Sequence, residues 1–355
     1  MATMVQAIRM ALHYGEENLG LKEVFGEDVG PPLGGVFTAT QGIQCSWNSP
    51  LDERGIVGAA IGLAFAGRRC VAEIQFCDYI FNTIDLLKLA GHTSWASFGD
   101  WSLPMTIMTP VGSGIRGAIY HSHSFDATIT HIPGWKIVMP STPLDAYGLM
   151  ISCLQDPNPT MYLKPKALLY VRGEEQIPGE PPLNKDGEKE LRSVINAPVI
   201  GDRTKWKPKW PSGLTDYKVE IGKAKVVREG TQITVVSYGR TLPLCIKASD
   251  HLNGLSVEVI DLRTLWPYDW PLVSQSIRKT KRVLFVNEDT EVTNFGEHLM
   301  RRTIEDFFYE LHARPRLLAG AFVPGIGLSD ALEMASVPQL ETIEQAIREV
   351  IDEKA

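Results

Sequence analysis

The feature that most constrains this chain is an alternation of short β-branched apolar runs with longer segments of helical period, met twice with a break between. After an amphipathic helix in MATMVQAIRMALHYGEEN and a strand in LKEVFGEDVG, the pattern predicts helix at 54–66, strand at 70–76, helix at 79–92 and strand at 104–109. It continues with helix at 124–132, strand at 135–139, helix at 143–154 and strand at 160–163. A second series predicts strand at 231–237, helix at 240–252, strand at 255–261, helix at 269–278, strand at 282–288, helix at 294–311, strand at 315–319 and a final helix from 338. Such alternation predicts α/β architecture: two three-layer domains with mostly parallel sheets and helices on both faces. Ligands in folds of this kind sit beyond the carboxyl ends of the strands. Between the two series, from about 172 to 216, the pattern breaks down into PGEPPLNKDGEKE and KWKPKWPSG, with only the apolar patch SVINAPVI inside. The expected division is therefore 1–175, a linker or insertion at 176–216, and 217–355, and 355 residues suffice for two domains that each bury a core.

Composition narrows the function classes. A formal net charge of −7 offers no basic footprint for nucleic acid or an anionic membrane. The longest apolar stretch, 56–67, falls short of the roughly 20 residues a membrane span needs, and the N-terminus has no cleavage-site pattern. The five cysteines are odd in number and show no C-x-x-C spacing, which predicts reduced thiols and a cytoplasmic location. Neither a P-loop nor a G-x-G-x-x-G opening a helix is present.

The densest stretch is Pro50 to Tyr79. Gly55, Gly58, Ala59, Gly62 and Ala66 give the predicted helix a smooth face on which another backbone can lie closely. Glu53 falls at or just before that helix's start, where the dipole stabilises a carboxylate; from position alone it reads as an N-terminal helix acid. Cys77, between Phe76 and Asp78, reads as a packed thiol. The glycine-rich loop GSGIRGAIYHSHS carries His121 and His123 at i and i+2; no third ligand of matching pattern stands nearby, so no metal site is expected. His131 reads as a histidine capping a turn.

Taken in order, P-L-x-E-x-G-I-V-G-x-x-I-G followed by E-I-Q-F-x-D-Y resembles the beta subunit of the thiamine diphosphate-dependent 2-oxo acid dehydrogenases. Those enzymes are the decarboxylating first components of the pyruvate and branched-chain complexes. GEDVG (26–30), GGVF (34–37), Y-H-S-x-S (120–124), PG-x-K-x-V-x-PSTP-x-DA-x-GL (133–149), IGKA-x-VV-REG (221–230) and EVIDLRTL-x-P-x-D (258–269) extend the resemblance over most of the chain. It implies a thiamine pyrimidine-binding domain at 1–175 and a transketolase C-terminal-like domain at 217–355. It implies that Glu53 is the carboxyl group on the aminopyrimidine ring nitrogen, that Leu51, Gln75 and Tyr79 line the same pocket, and that His121 is the active-site histidine facing substrate. Phe76 is expected in the core. EIQFCDY and GAIYHSHS are closer to the branched-chain type, as for 2-oxoisovalerate, than to pyruvate or acetoin enzymes, and the intact Glu53, Gln75, Tyr79 and His121 argue against a non-catalytic partner subunit.

The resemblance also implies partners. The G-D-G sequence and downstream Asn that hold diphosphate and magnesium in such enzymes have no counterpart here; Gly99-Asp100-Trp101 is the nearest approach. The expectation is that an alpha subunit holds the magnesium, in a heterotetramer of two alpha and two beta chains that hands acyl groups to a lipoyl acyltransferase core. Departures from the family pattern are Asp85-Leu86-Leu87, GHTSWASFGDW (91–101), Lys164 before P-K, AFVPGIG (321–327), and a connection at 176–216 longer than usual.

Overall fold

The computed structural model describes residues 1–182, 184–198 and 206–353. In chain order its elements are α1 (Met4–Asn18), β1 (Leu21–Gly26), β2 (Ser46–Asn48), α2 (Glu53–Phe65), β3 (Arg69–Glu73), α3 (Ile84–Ala96), β4 (Met105–Val111), α4 (Asp126–Thr130), β5 (Lys136–Val138), α5 (Pro143–Gln155), β6 (Thr160–Pro165) and α6 (Lys185–Ile195). They continue with β7 (Lys225–Arg228), β8 (Ile233–Ser237), α7 (Thr241–His251), β9 (Val257–Asp261), β10 (Thr264–Trp266), α8 (Trp270–Thr280), β11 (Val283–Thr290), α9 (Phe295–Phe307), β12 (Arg316–Gly320), α10 (Asp330–Ser336) and α11 (Leu340–Asp352). Two compact units result. The first comprises 1–110, 132–164 and 168–221, the second 111–131, 165–167 and 222–355.

In the first unit the strand order is β5-β6-β4-β3-β1-β2. The pairings β1 with β2, β1 with β3, β3 with β4 and β5 with β6 are parallel. Strands β4 and β6 are buried along their whole length, which is why they read in the sequence as continuous apolar runs rather than alternating ones. Helix α1 starts with a capping box, Thr3 accepting from Gln6 N while the Gln6 side chain accepts from Thr3 N. It packs on α5 through a core that includes Ile8, Leu12, Met150 and Leu154. The amphipathic reading of α1 understates its burial: Gln6 and Arg9 are enclosed as well.

The segment expected as a linker carries a helix. Asn184 caps α6 by accepting from Gly187 N at 2.8 Å, and Leu191 and Ile195 enter the first unit's core. Two buried apolar residues one turn apart, set among six charged ones in KDGEKELRSVI, are too narrow a stripe to register as helical period. The last two residues of SVINAPVI lie outside the described residues.

The second unit is built on a five-stranded sheet ordered β12-β11-β8-β9-β7, parallel except for β7 against β9. Its core includes Val235, Val259, Leu284 and Ile347. The expected final helix starts at Leu340, after Pro338, and is preceded by α10, which the sequence pattern did not predict. Among the described residues no helix is long and apolar enough to cross a membrane.

Candidate active site

Strands β3, β1 and β2 are adjacent and parallel, so the segments leaving their carboxyl ends emerge along one edge of the first unit's sheet. Glu27 and Asp28 follow β1; Leu51, Asp52 and Glu53 follow β2; Gln75, Phe76 and Tyr79 follow β3. Glu53 is the first residue of α2, and its carboxyl is half-buried there. Leu51 is 72% exposed. Gln75 donates from Nε2 to Asp28 Oδ2 at 3.3 Å, and Asp28 itself sits at φ +60°, a left-handed conformation that turns the chain sharply off β1.

Electrostatics tie these side chains together. Burial, then the neighbouring Asp28 and Glu53 carboxylates, push the Glu27 carboxyl above its ordinary value. Burial, then Asp78, Glu53 and Glu27, push the Tyr79 phenol up likewise. Asp78, Glu53 and Glu27 thus concentrate negative charge around one aromatic hydroxyl. Glu27 and Asp28 were not singled out from the sequence; the available signal was an E-D pair directly after an apolar β-run. Phe76 departs from the expected core position: it is half-buried, edge-on to Phe37 at 6.0 Å and to Tyr79 at 5.8 Å. Cys77 is fully buried. Carboxylates, an amide and partly open aromatic faces make a donor set that fits a protonatable heterocycle such as an aminopyrimidine.

Directly behind this edge, Glu73 at the end of β3 is wholly buried against Lys164 of β6. The Lys164 Nζ to Glu73 Oε2 distance is 2.7 Å with both side chains at 0% exposure, and Glu73 Oε1 accepts from Val36 N at 3.0 Å. Lys164, a departure from the family pattern, is therefore the counter-ion of the acid that opens E-I-Q-F.

The loop with His121 leaves β4 and groups with the second compact unit. Two acids of that unit hold its backbone. Glu288 Oε2 accepts from Ser113 N at 3.2 Å and from Ser113 Oγ at 2.7 Å; Glu333 accepts from Gly114 N and, at 2.9 Å, from Arg116 N. Gly112 has φ +82°, and a Cβ there would fall 1.9 Å from Glu288 Oε1, so only glycine allows the clamp. Arg116 and Ala118 also sit at positive φ, the mark of a conformation that the surroundings impose. His121 is half-buried with Nδ1 3.1 Å from the Gly117 carbonyl; donation from Nδ1 leaves the lone pair on Nε2. His123 is exposed, and exposed His131 ends α4. Beneath the loop, burial, then Asp289, push the Asp126 carboxyl well above the usual range. Asp289 Oδ2 accepts from Ala127 N at 3.0 Å.

Among the described residues, His13, Glu16 and Glu17 bring three potential ligand atoms within 4.8 Å of one another. Glu16 is already engaged, accepting from Gln44 N at 2.9 Å and Cys45 N at 3.2 Å, and His13 stacks on Trp210.

Residues 2–171 match the transketolase pyrimidine binding domain, and residues 222–343 the transketolase C-terminal domain. The chain is 36% identical to the 2-oxoisovalerate dehydrogenase subunit beta of Pseudomonas aeruginosa, an alignment covering 99% of this chain and 95% of that one. The chain belongs to the beta-subunit family of the 2-oxo acid dehydrogenases. This is an oxidoreductase family of thiamine diphosphate-dependent enzymes. Further relatives are the 2-oxoisovalerate dehydrogenase subunit beta of Bacillus subtilis, 33% identical with 98% of each chain covered, and the pyruvate dehydrogenase E1 component subunit beta of the same organism, 35% identical over 81% of this chain and 79% of that one. A solved split gene transketolase, an inactive beta4 tetramer, shares the fold: TM-score 0.68 at 16% identity, covering 99% of this chain and 98% of the other.

Proposed function

We propose that this chain is the beta subunit of a branched-chain 2-oxo acid dehydrogenase that decarboxylates acids such as 2-oxoisovalerate and passes the acyl group to the lipoyl group of an acyltransferase core. The observation that carries the reading is the placement of Glu53 after β2 and of Gln75 and Tyr79 after β3, along the carboxyl edge that these strands share with β1, in a chain of this family. Bound thiamine diphosphate supplies the nucleophilic carbon and the electron sink. Glu53 holds a proton at the aminopyrimidine ring nitrogen; Tyr79 and Leu51 wall the ring, and Gln75, anchored on Asp28, orients it. His121, its tautomer set by the Gly117 carbonyl, presents Nε2 for proton transfer to or from substrate.

The assembly proposed is a heterotetramer of two alpha and two beta chains, with magnesium and diphosphate held by alpha. Supporting it, the exposed residues of α2 after Arg54 are Gly55, Ala59, Gly62 and Phe65, the last at 48% exposure, followed by exposed Ala66 at the helix end. Trp95 at 89%, Phe98 at 100% and Trp101 at 58% exposure add apolar surface of a kind single chains seldom leave in water. Cysteines outside any disulfide among the described residues support a cytoplasmic location. Pyruvate as substrate is the second reading, favoured by the pyruvate dehydrogenase relatives at 34% and 35% identity.

The test is to purify the chain alone and with its alpha partner, and to titrate each with thiamine diphosphate and magnesium. Magnesium-dependent binding and 2-oxoisovalerate decarboxylation only in the mixture are expected. Saturable, magnesium-dependent activity of the isolated chain would overturn the shared-cofactor assignment, and a preference for pyruvate would replace the substrate.

A further inference from the structure

The segment 176–216 has no part in the chemistry above, yet its helix closes a cleft in the first unit. The cleft, about 420 Å³, lies between the start of α1, residues 170–172 and α6, and is lined by Arg9, Arg172, Arg192, Tyr170, Asn196 and Glu188. A groove of about 550 Å³ shares Arg172, Glu188 and Arg192 with it and adds Lys185 and Lys189. Five cations therefore face one acid, and that acid is already paired with Arg172. On a chain of net charge −7 this is a local reversal of sign.

Arg9 at the base of the cleft is the decisive group. Its side chain is 2% exposed, and its bonds go to neutral acceptors: Gln41 Oε1 at 3.1 Å, the Ile195 carbonyl at 2.7 Å and Asn196 Oδ1 at 2.7 Å. Its Nε has no partner, and among the described residues no carboxylate pairs with it. Burial accordingly lowers Arg9 to about 10. A buried guanidinium without a counter-ion is costly, and proteins supply one from a side chain or a ligand. Arg192 at the mouth presents a guanidinium fork suited to bidentate phosphate contact, Arg172, paired with Glu188, adds positive charge beside it, and Tyr170, 62% exposed, offers a ring face.

We propose that this cleft binds a phosphate-bearing small molecule. Its volume is that of a small-ligand pocket, and its concavity favours a compact anion over an acidic protein surface. Because the site joins α6 to α1, occupancy also fastens the 176–216 excursion to the domain, separately from the thiamine end.

The experiment is calorimetric titration of the full chain, alone and assembled with alpha, with inorganic pyrophosphate in magnesium-free buffer at low chloride. Saturable one-to-one binding is expected, weakened about tenfold in Arg172→Ala or Arg192→Ala and abolished in Arg192→Glu. Arg192 is exposed, so these variants test the idea even if Arg9→Ala does not fold. A nucleoside diphosphate that binds more tightly than pyrophosphate, and loses that margin in Tyr170→Ala, identifies a nucleotide; equal affinity identifies the phosphate group itself, and either result upholds the site. The proposal is overturned by absence of saturation at millimolar pyrophosphate, by undiminished binding in the Arg172 and Arg192 variants, or by binding of heparin alone. Binding that appears only in the assembly with alpha and is kept in Arg192→Glu would assign the anion to the thiamine end and equally overturn it.

Discussion

Replacing Lys164 with Met isolates the contribution of the buried pair behind the active-site edge. At the 2.7 Å separation of Nζ and Oε2, attraction at an effective dielectric near 20 is on the order of 6 kcal/mol, most of which offsets the loss of hydration of two fully enclosed charges. The pair itself therefore contributes little net stability. Removing Lys164 leaves Glu73 buried with, among the described residues, the Val36 N–H as its remaining hydrogen bond, and stranded charges of this kind cost about 3–5 kcal/mol. That is a third or more of the stability of an ordinary domain. Urea unfolding of Lys164→Met at pH 7, followed by tryptophan fluorescence, should show a loss of that size with little change in slope. Glu73→Gln in the same background keeps an acceptor for Val36 N while removing the charge, so the double variant should regain most of the loss. A loss below about 1 kcal/mol in Lys164→Met, or no recovery in the double variant, would refute the assignment.

Glu53→Gln should change stability by no more than ~1 kcal/mol, because a half-exposed carboxylate at a helix start contributes no more, while decarboxylation by the assembled enzyme falls by orders of magnitude; retention of more than a few per cent of the rate would remove Glu53 from the proton relay. His121→Ala should lower turnover of 2-oxo acid more than thiamine diphosphate affinity, and equal losses in steady-state and binding assays would make it a pocket wall. The Asp126 carboxyl, raised by burial and by Asp289, is faced also by Glu288 and Tyr238, so folded-state stability is fully present below the ordinary carboxylate range and declines as pH rises through the raised value. Asp126→Asn should flatten that decline in melting temperature measured against pH, and an unchanged profile would mean that another group sets it.

The architecture was legible where burial acts on whole elements. Strands β4, β6, β8 and β9, buried throughout and mostly apolar, and helices such as α5, begun by Thr142 and Pro143, declare themselves in composition and caps. Helix α6 escaped notice because its buried stripe is two residues, and α10 because seven residues are barely two turns. In the candidate site, Glu53, Gln75 and Tyr79 stood out through motif spacing. Glu27 and Asp28 did not, since only the pairing of β1 between β2 and β3 brings them to the same edge. The roles of Glu288 and Glu333 were hidden for a similar reason: they act on backbone N–H groups at sequence separations of 175 and 219 respectively. Sequence carries no local trace of such a contact.

The clamp on the His121 loop bears on how such chains can be recombined. A crossover placed in 172–216, where composition suggests a natural seam, would deliver residues 112–117 from one parent and their two carboxylate anchors from another. Chimeras cut there would inherit a loop shaped for foreign acids, and the steric demand at Gly112 makes even a one-atom mismatch at Glu288 consequential. Crossovers at 110 and 132, moving the loop together with 222–355, would keep acceptor and donor in the same lineage. The unit of exchange in this architecture is thus a discontinuous stretch of gene, and a history of shuffling would be written as paired breakpoints flanking the loop.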